Sequence, residues 1–166
     1  MPALPTKEHL LFLADVAHNL LGNRGFDTIA VGAIGPNPFH VDLVLGINSS
    51  SYDEIGLNND RLIPPIIRNN PTLQRLGVIM SRDPYHAEVS VVLQARERGV
   101  LVWGLAASRK ICPTCTSFFW RHRDSLAPNC QIVDGWRLGG RILTHNDRTG
   151  IRAGWRHRYT ARAVRM

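Results

Sequence analysis

The sequence predicts an α/β protein, a three-layer α/β/α sandwich around a mixed sheet, folded as a single domain over residues 1–166. Three observations predict it. Helical and strand-like apolar periodicities alternate along the chain in the order α β β α β α β. Two strand-like runs, 26–34 and 40–47, are separated by little more than the turn-forming Gly35-Pro36-Asn37-Pro38, which makes them hairpin neighbours. A later run, 100–106, is apolar throughout and follows a helix, as a buried strand of a parallel sheet does. With 44% apolar and 20% charged residues, the 166-residue chain can bury one sizeable core and has no room for a second domain of ordinary size.

Taken in order, Leu10, Leu13, Ala14, Ala17, Leu20 and Leu21 recur at helical spacing behind Thr6, an N-cap residue type, and Gly22 and Gly25 stop the helix. The hairpin strands follow, with the turn at 35–38. From 48 to 70 the composition shifts to Asn, Ser, Asp and Pro without a regular apolar period, which predicts a long surface loop of the kind that often carries function. Asp83 and Pro84 open a second helix, proline standing in the first turn where its missing N–H costs nothing, and Gly99 ends it. The strand 100–106, a helix over 108–122 and a short strand over 131–136 complete a core of about 26–136. The longest apolar run, 99–107, is far short of the ~20 residues of a membrane-spanning helix, so no membrane partner is expected. The first twenty residues scatter their charges and show no signal-peptide order, so any export is expected to use another route.

The net charge of +7 is concentrated at one end. Residues 1–136 hold 12 Lys and Arg against 12 Asp and Glu, whereas residues 137–166 hold eight arginines against Asp147 alone. Arginine without lysine suits bidentate phosphate recognition, and the interleaved Trp136, Trp155 and Tyr159 offer faces on which bases stack. A nucleic acid is the expected partner, with Arg152, Arg156 and Arg158 on its backbone; a solvated basic tail or an acidic protein partner accounts for the same charge.

Two short motifs fall where helices start: His86-Ala87-Glu88 and Cys112-Pro113-Thr114-Cys115. Each alone is unspecific, since a histidine at a helix start is often a cap, and a CxxC serves a structural zinc or a redox pair. Three cysteines cannot all pair within one chain, so a disulfide framework is not expected. Spacing i, i+3 puts Cys112 and Cys115 on one helical face, and a helix N-terminus favours the thiolate that zinc binds. With His86 they make three protein ligands, and three ligands plus water is the composition of a catalytic zinc. Glu88 is then placed to move protons without coordinating the metal. An HxE followed 23 residues on (89–111) by a CxxC matches the signature of zinc nucleobase deaminases.

On these motifs the chain resembles the cytidine deaminase-like superfamily over roughly 26–136. His in HAE is more similar to the nucleic-acid-acting branches, and HAEVSVVLQARERG followed by ASRKICPTC is similar to deaminase domains of bacterial polymorphic toxins. The resemblance implies a zinc-dependent hydrolytic deaminase of cytosine in DNA, single-stranded or flipped from a duplex. It also implies a secreted effector domain acting in the target-cell cytoplasm, with an acidic immunity protein in the producing cell. It assigns substrate contacts to Asn48 and Ser108, with Tyr85 and Ala87 adjoining the motif; a strand-end turn and a helix N-cap account for Asn48 and Ser108 as well. Tyr85, Tyr52, His40 and Trp120 are the candidates for an aromatic wall against the base. The chain departs from the family at the proline before the first cysteine, which is Ile111 here, with a proline at Pro113 instead. Cys130 is either a buried thiol or a fourth ligand that closes the site. Two rival readings stand beside this one: an RNA or transfer-RNA adenosine deaminase, which shares HAE, and a non-catalytic, zinc-stabilised nucleic-acid-binding domain.

Overall fold

In a computed structural model of the chain, residues 4–20, 28–48, 77–83, 86–109, 111, 113–134 and 141–142 are described. Their elements are α1 (Lys7–Leu20), β1 (Ile29–Asn37), β2 (His40–Asn48), β3 (Val78–Asp83), α2 (Ala87–Arg98), β4 (Leu101–Ala107), α3 (Pro113–Arg121), a 3-10 turn (Arg123–Ser125), β5 (Leu126–Asp134) and β6 (Arg141–Ile142). The strands form one sheet in the order β3-β2-β1-β4-β5-β6. β2 is parallel to β3 and β4 is parallel to β5, while β1 is antiparallel to both β2 and β4, and β6 is antiparallel to β5. The sheet is therefore mixed, as expected. Its consequence for function is directional: β2, β3, β4 and β5 all point the same way, so their C-terminal ends share one edge, the edge where open α/β sheets bind ligands.

Side-chain alternation assigns the two faces. Ile29, Val31 and Ala33 of β1, with Val41, Leu43, Leu45 and Ile47 of β2, pack under Leu10, Leu13, Ala14 and Ala17 of α1. Ala30, Ile34 and Val44 turn to the opposite face and pack with Val91, Val92 and Ala95 of α2 and with Phe118 and Phe119 of α3. Helices thus cover both faces. Phe118 and Phe119 are fully buried and meet edge to face at 6.5 Å; each such side chain contributes about 1.5–3 kcal/mol relative to exposure.

Two of the predicted helix signals, Thr6 and Gly99, are found. The Thr6 hydroxyl accepts the His9 amide at 3.2 Å, capping α1. Gly99, at φ 67°, ends α2 in the left-handed conformation, its amide donating to Arg96 O and the Val100 amide donating to Ala95 O at 3.0 Å. Two glycines let α2 lie close on the sheet: a methyl group at Gly32 would overlap Val91 Cγ1, and one at Gly46 would overlap the carbonyl oxygen of Ala87.

Several boundaries differ from expectation, beginning with β1, which runs over Ile29–Asn37 and not 26–34. The hairpin turn is at Pro38-Phe39 and not over 35–38, because β1 continues through Gly35 and Pro36 by a register shift before Asn37 pairs His40. Asn37 Oδ1 accepts the Phe39 amide at 2.9 Å and so closes the turn locally. Asp83 ends β3 instead of opening a helix; β3 was not foreseen, because three of its six residues (VIMSRD) are polar and Pro84 follows. α3 starts at Pro113 and not near 108, since the intervening residue Ser108 is hydrogen-bonded to β1. β5 starts at Leu126, five residues before the predicted strand, with a register shift against β4 that absorbs Pro128. Gly22, Gly25, the loop 49–70, Trp136 and the arginine segment other than Arg141 lie outside the described residues.

Candidate metal centre

The two motifs meet at the shared edge. His86 is the N-cap of α2, with extended backbone (φ −130°, ψ 143°) and no side-chain capping hydrogen bond. The first turn of α2 comes down over β2 because Gly46 has no side chain to hold Ala87 away. α3 approaches beside it. Proline is well suited to the first position of a helix, and Pro113 there puts Cys115 in the first turn of α3, so the displaced proline of the CxxC starts the helix one residue after Cys112.

As a result, Cys115 Sγ lies 3.0 Å from His86 Nδ1 and 3.8 Å from Glu88 Oε2. A nitrogen of His86, a carboxylate oxygen of Glu88 and the sulfur of Cys115 all fall within 4.8 Å of one another and could hold a metal ion. Cys115 is fully buried and Glu88 is 3% exposed. A buried acid is costly unless compensated, and here the first turns of two helices bring their positive ends to it and to the thiol. The donor chemistry fits zinc: imidazole and thiolate are its preferred ligands, at about 2.0–2.1 and 2.3 Å. Cys112 lies outside the described residues, and the group found among those described is His86, Glu88 and Cys115. Cys130 is not in it; it sits on β5 four residues back from the edge residue Asp134, with its sulfur against the Gln131 carbonyl at 3.9 Å.

The other predicted residues distribute as follows. The backbone of Asn48 ends β2 two residues past Gly46, paired with Asp83, which places it at the same edge; its side chain is not described. Ala87 is buried between α2 and the sheet. Ser108 directly follows β4 and is buried; the Ile29 amide donates to its hydroxyl at 3.0 Å, and the hydroxyl is hydrogen-bonded to His18 Nδ1 at 2.7 Å. Its hydroxyl therefore ties α1, β1 and β4 together beside the chain that leads into the cysteine motif. His40 stands at the hairpin tip, six residues along β2 from Gly46 and so roughly 20 Å from the cluster, too far to wall a base there. Trp120 is five residues past Cys115 and is stacked with Arg123. Tyr52, Tyr85, Arg152, Arg156 and Arg158 lie outside the described residues.

One positioning residue was missed. Asp134, 1% exposed at the end of β5, accepts the Ile111 amide through Oδ2 and so pins the backbone immediately before the cysteine motif. The visible signal was an acid closing the run Gln131-Ile132-Val133, a place where a buried carboxylate needs a partner. Asp134→Ala leaves the buried Ile111 amide without its acceptor and is expected to cost about 1–3 kcal/mol, read as a lower denaturation midpoint at unchanged slope.

Among the described residues no helix is long and apolar enough to cross a membrane. Compared with models of known families, with curated proteins and with solved structures, the chain finds no match.

Proposed function

We propose that the chain is a zinc-dependent hydrolytic deaminase of the cytidine deaminase-like type that converts cytosine to uracil in DNA. The observation that carries this reading is the convergence of His86, Glu88 and Cys115 at the C-terminal edge of the sheet, on the first turns of two neighbouring helices. His86 and Cys115, with Cys112 three residues before the latter, are the ligands in this reading. Zinc held there supplies the Lewis acidity that brings the pKa of water toward about 7. Glu88 would take a proton from the attacking water and return it to the departing nitrogen, so that oxygen replaces the exocyclic amine and ammonia leaves.

The substrate class rests on charge. The eight arginines of 137–166 suit phosphate, and a base in a duplex must be flipped out at a cost of a few kcal/mol before it reaches a recessed centre. In the toxin-type reading the chain acts inside a target cell and is neutralised in the producing cell by an acidic partner that covers those arginines. The test is incubation of single- and double-stranded DNA and RNA with the zinc-loaded protein, followed by sequencing. Cytosine-to-uracil changes in DNA are expected; adenine-to-hypoxanthine changes, or no change in any substrate with zinc bound, would overturn the assignment.

One observation favours a second reading. The Glu88 carboxylate oxygen belongs to the same tight group as the two ligand atoms, which also suits a closed structural metal site in which Glu88 is itself a ligand.

A further inference from the structure

At the opposite end of α2 and α3, the last turns of both helices and the 3-10 turn enclose an open cleft of about 450 Å³ lined by Arg96, Arg121, His122, Arg123 and Asp124. Arg96 stands ten residues past His86, which at the helical rise is roughly 15 Å along α2 from the candidate metal centre. Three guanidinium groups face one carboxylate in this cleft, and that carboxylate is already matched. Arg96 donates to Ser125 Oγ at 2.8 Å and to Asp124 Oδ1 at 3.4 Å.

The other two arginines point to a ligand. Arg123 lies over the Trp120 ring, 4.7 Å from its centroid, and donates to the Trp120 carbonyl at 3.1 Å, so its planar fork is already oriented. Arg121 is exposed and enters no ion pair among the described residues. Between them His122 packs its ring on Phe118 at 4.4 Å, while its buried Nε2 has no hydrogen-bond partner among the described residues. The charged groups acting on the ring are Arg96 and Arg121 against Asp124, so the cleft carries an excess of positive charge.

We propose that this cleft is a phosphate-binding site, with Arg121 and Arg123 donating charge-assisted hydrogen bonds and the His122 ring, packed beside them on Phe118, sensing the bound charge. The site stands on the ends of α2 and α3 and does not depend on the deaminase reading. Two sources present the same chemistry: the backbone of a nucleic-acid strand and free phosphate. For a strand, roughly 15 Å is the length of four to five nucleotides at about 3.4 Å each, so the cleft would hold the backbone while a base lies at the metal centre.

His122 reports occupancy directly. Its burial, then the nearby Arg96, hold the imidazole below its ordinary value; Asp124 opposes this and Arg121 adds to it. A phosphate seated among these groups stabilises the imidazolium and moves the titration up. The experiment follows the ring nitrogens of His122 by NMR in the full chain, titrated in one arm with inorganic phosphate and in another with a short single-stranded DNA. A saturable shift with a raised titration midpoint is expected, weakened roughly tenfold or more in Arg121→Gln/Arg123→Gln. Response to both ligands or to the DNA alone assigns the strand, and response to inorganic phosphate alone assigns free phosphate. His122 unmoved by either ligand at millimolar concentration overturns the site, even if DNA binds elsewhere on the chain, and so does a double variant that binds as tightly as the parent. A chain that deaminates yet leaves His122 unmoved fails this inference alone; one that shifts His122 without deaminating fails only the deaminase reading.

Discussion

Glu88→Gln is expected to keep one zinc per chain and the parent's denaturation midpoint, while cytosine conversion falls by about 10²- to 10⁴-fold, the range a positioned general acid–base supplies. The substitution keeps the shape of a side chain that is 3% exposed and removes only its ability to exchange a proton. Because a buried acid carries a desolvation cost, the amide is expected to fold at least as stably as the acid; losing activity without losing stability marks a residue retained for chemistry. The rival, in which Glu88 is a ligand, expects the opposite pattern: zinc content and midpoint fall together. Metal analysis and denaturation on the same preparation therefore decide between the readings, and full activity in a zinc-loaded Glu88→Gln chain removes Glu88 from proton transfer.

The second large effect is expected from a residue that bears no functional group. Gly46→Ala places a methyl group where the carbonyl oxygen of Ala87 already lies and within 2.7 Å of Ser90 Oγ. The obstructing atom is helix backbone, so α2 must lift from the sheet and carry His86 and Glu88 with it. A cost of about 3 kcal/mol or more is expected, a large share of the roughly 5–15 kcal/mol that holds a domain folded, accompanied by weaker zinc binding. Gly104→Ala is the control. The methyl group there meets only the terminal Cδ1 of Leu10 at 2.9 Å, which can rotate aside, and a change within about 1 kcal/mol is expected. Equal midpoints for the two variants would show that α2 does not owe its seating to Gly46.

What could be read in the sequence was what local chemistry specifies. Thr6 and Gly99 declared the ends of their helices because capping and positive φ are properties of single residues and their immediate neighbours. HAE and CPTC were visible for the same reason, and of their described residues His86 to Glu88 and Pro113 to Cys115 stand at helix starts on one sheet edge. Features set by distant partners stayed hidden. β3 earns its place from pairing with β2, not from its own half-polar composition. Ser108 looked like a helix cap because its bonds to Ile29 and His18 join residues 79 and 90 positions away. Asp134 holds an amide 23 positions upstream; an acid closing an apolar run hinted at a buried carboxylate, but only the folded chain shows its partner. Glycine inside an apolar strand was the one available hint of close approach at Gly46, and only the packed helix shows what approaches.

His86 and Cys115 touch across two helices that the chain itself joins only through β4. An ion shared between them is a cross-link of the native state, absent from the unfolded chain, where the two side chains are 29 positions apart. By linkage, its binding free energy is then also docking free energy for α2 against α3, amounting to about 2.7 kcal/mol at a hundredfold excess over the dissociation constant. Affinity for the ion and rigidity of the helix pair thus become one thermodynamic quantity. With an ion held there, any substitution that loosens the seating of either helix would weaken ion binding without touching a ligand, and a chelator would act on the tertiary structure as a mild denaturant confined to this edge of the sheet.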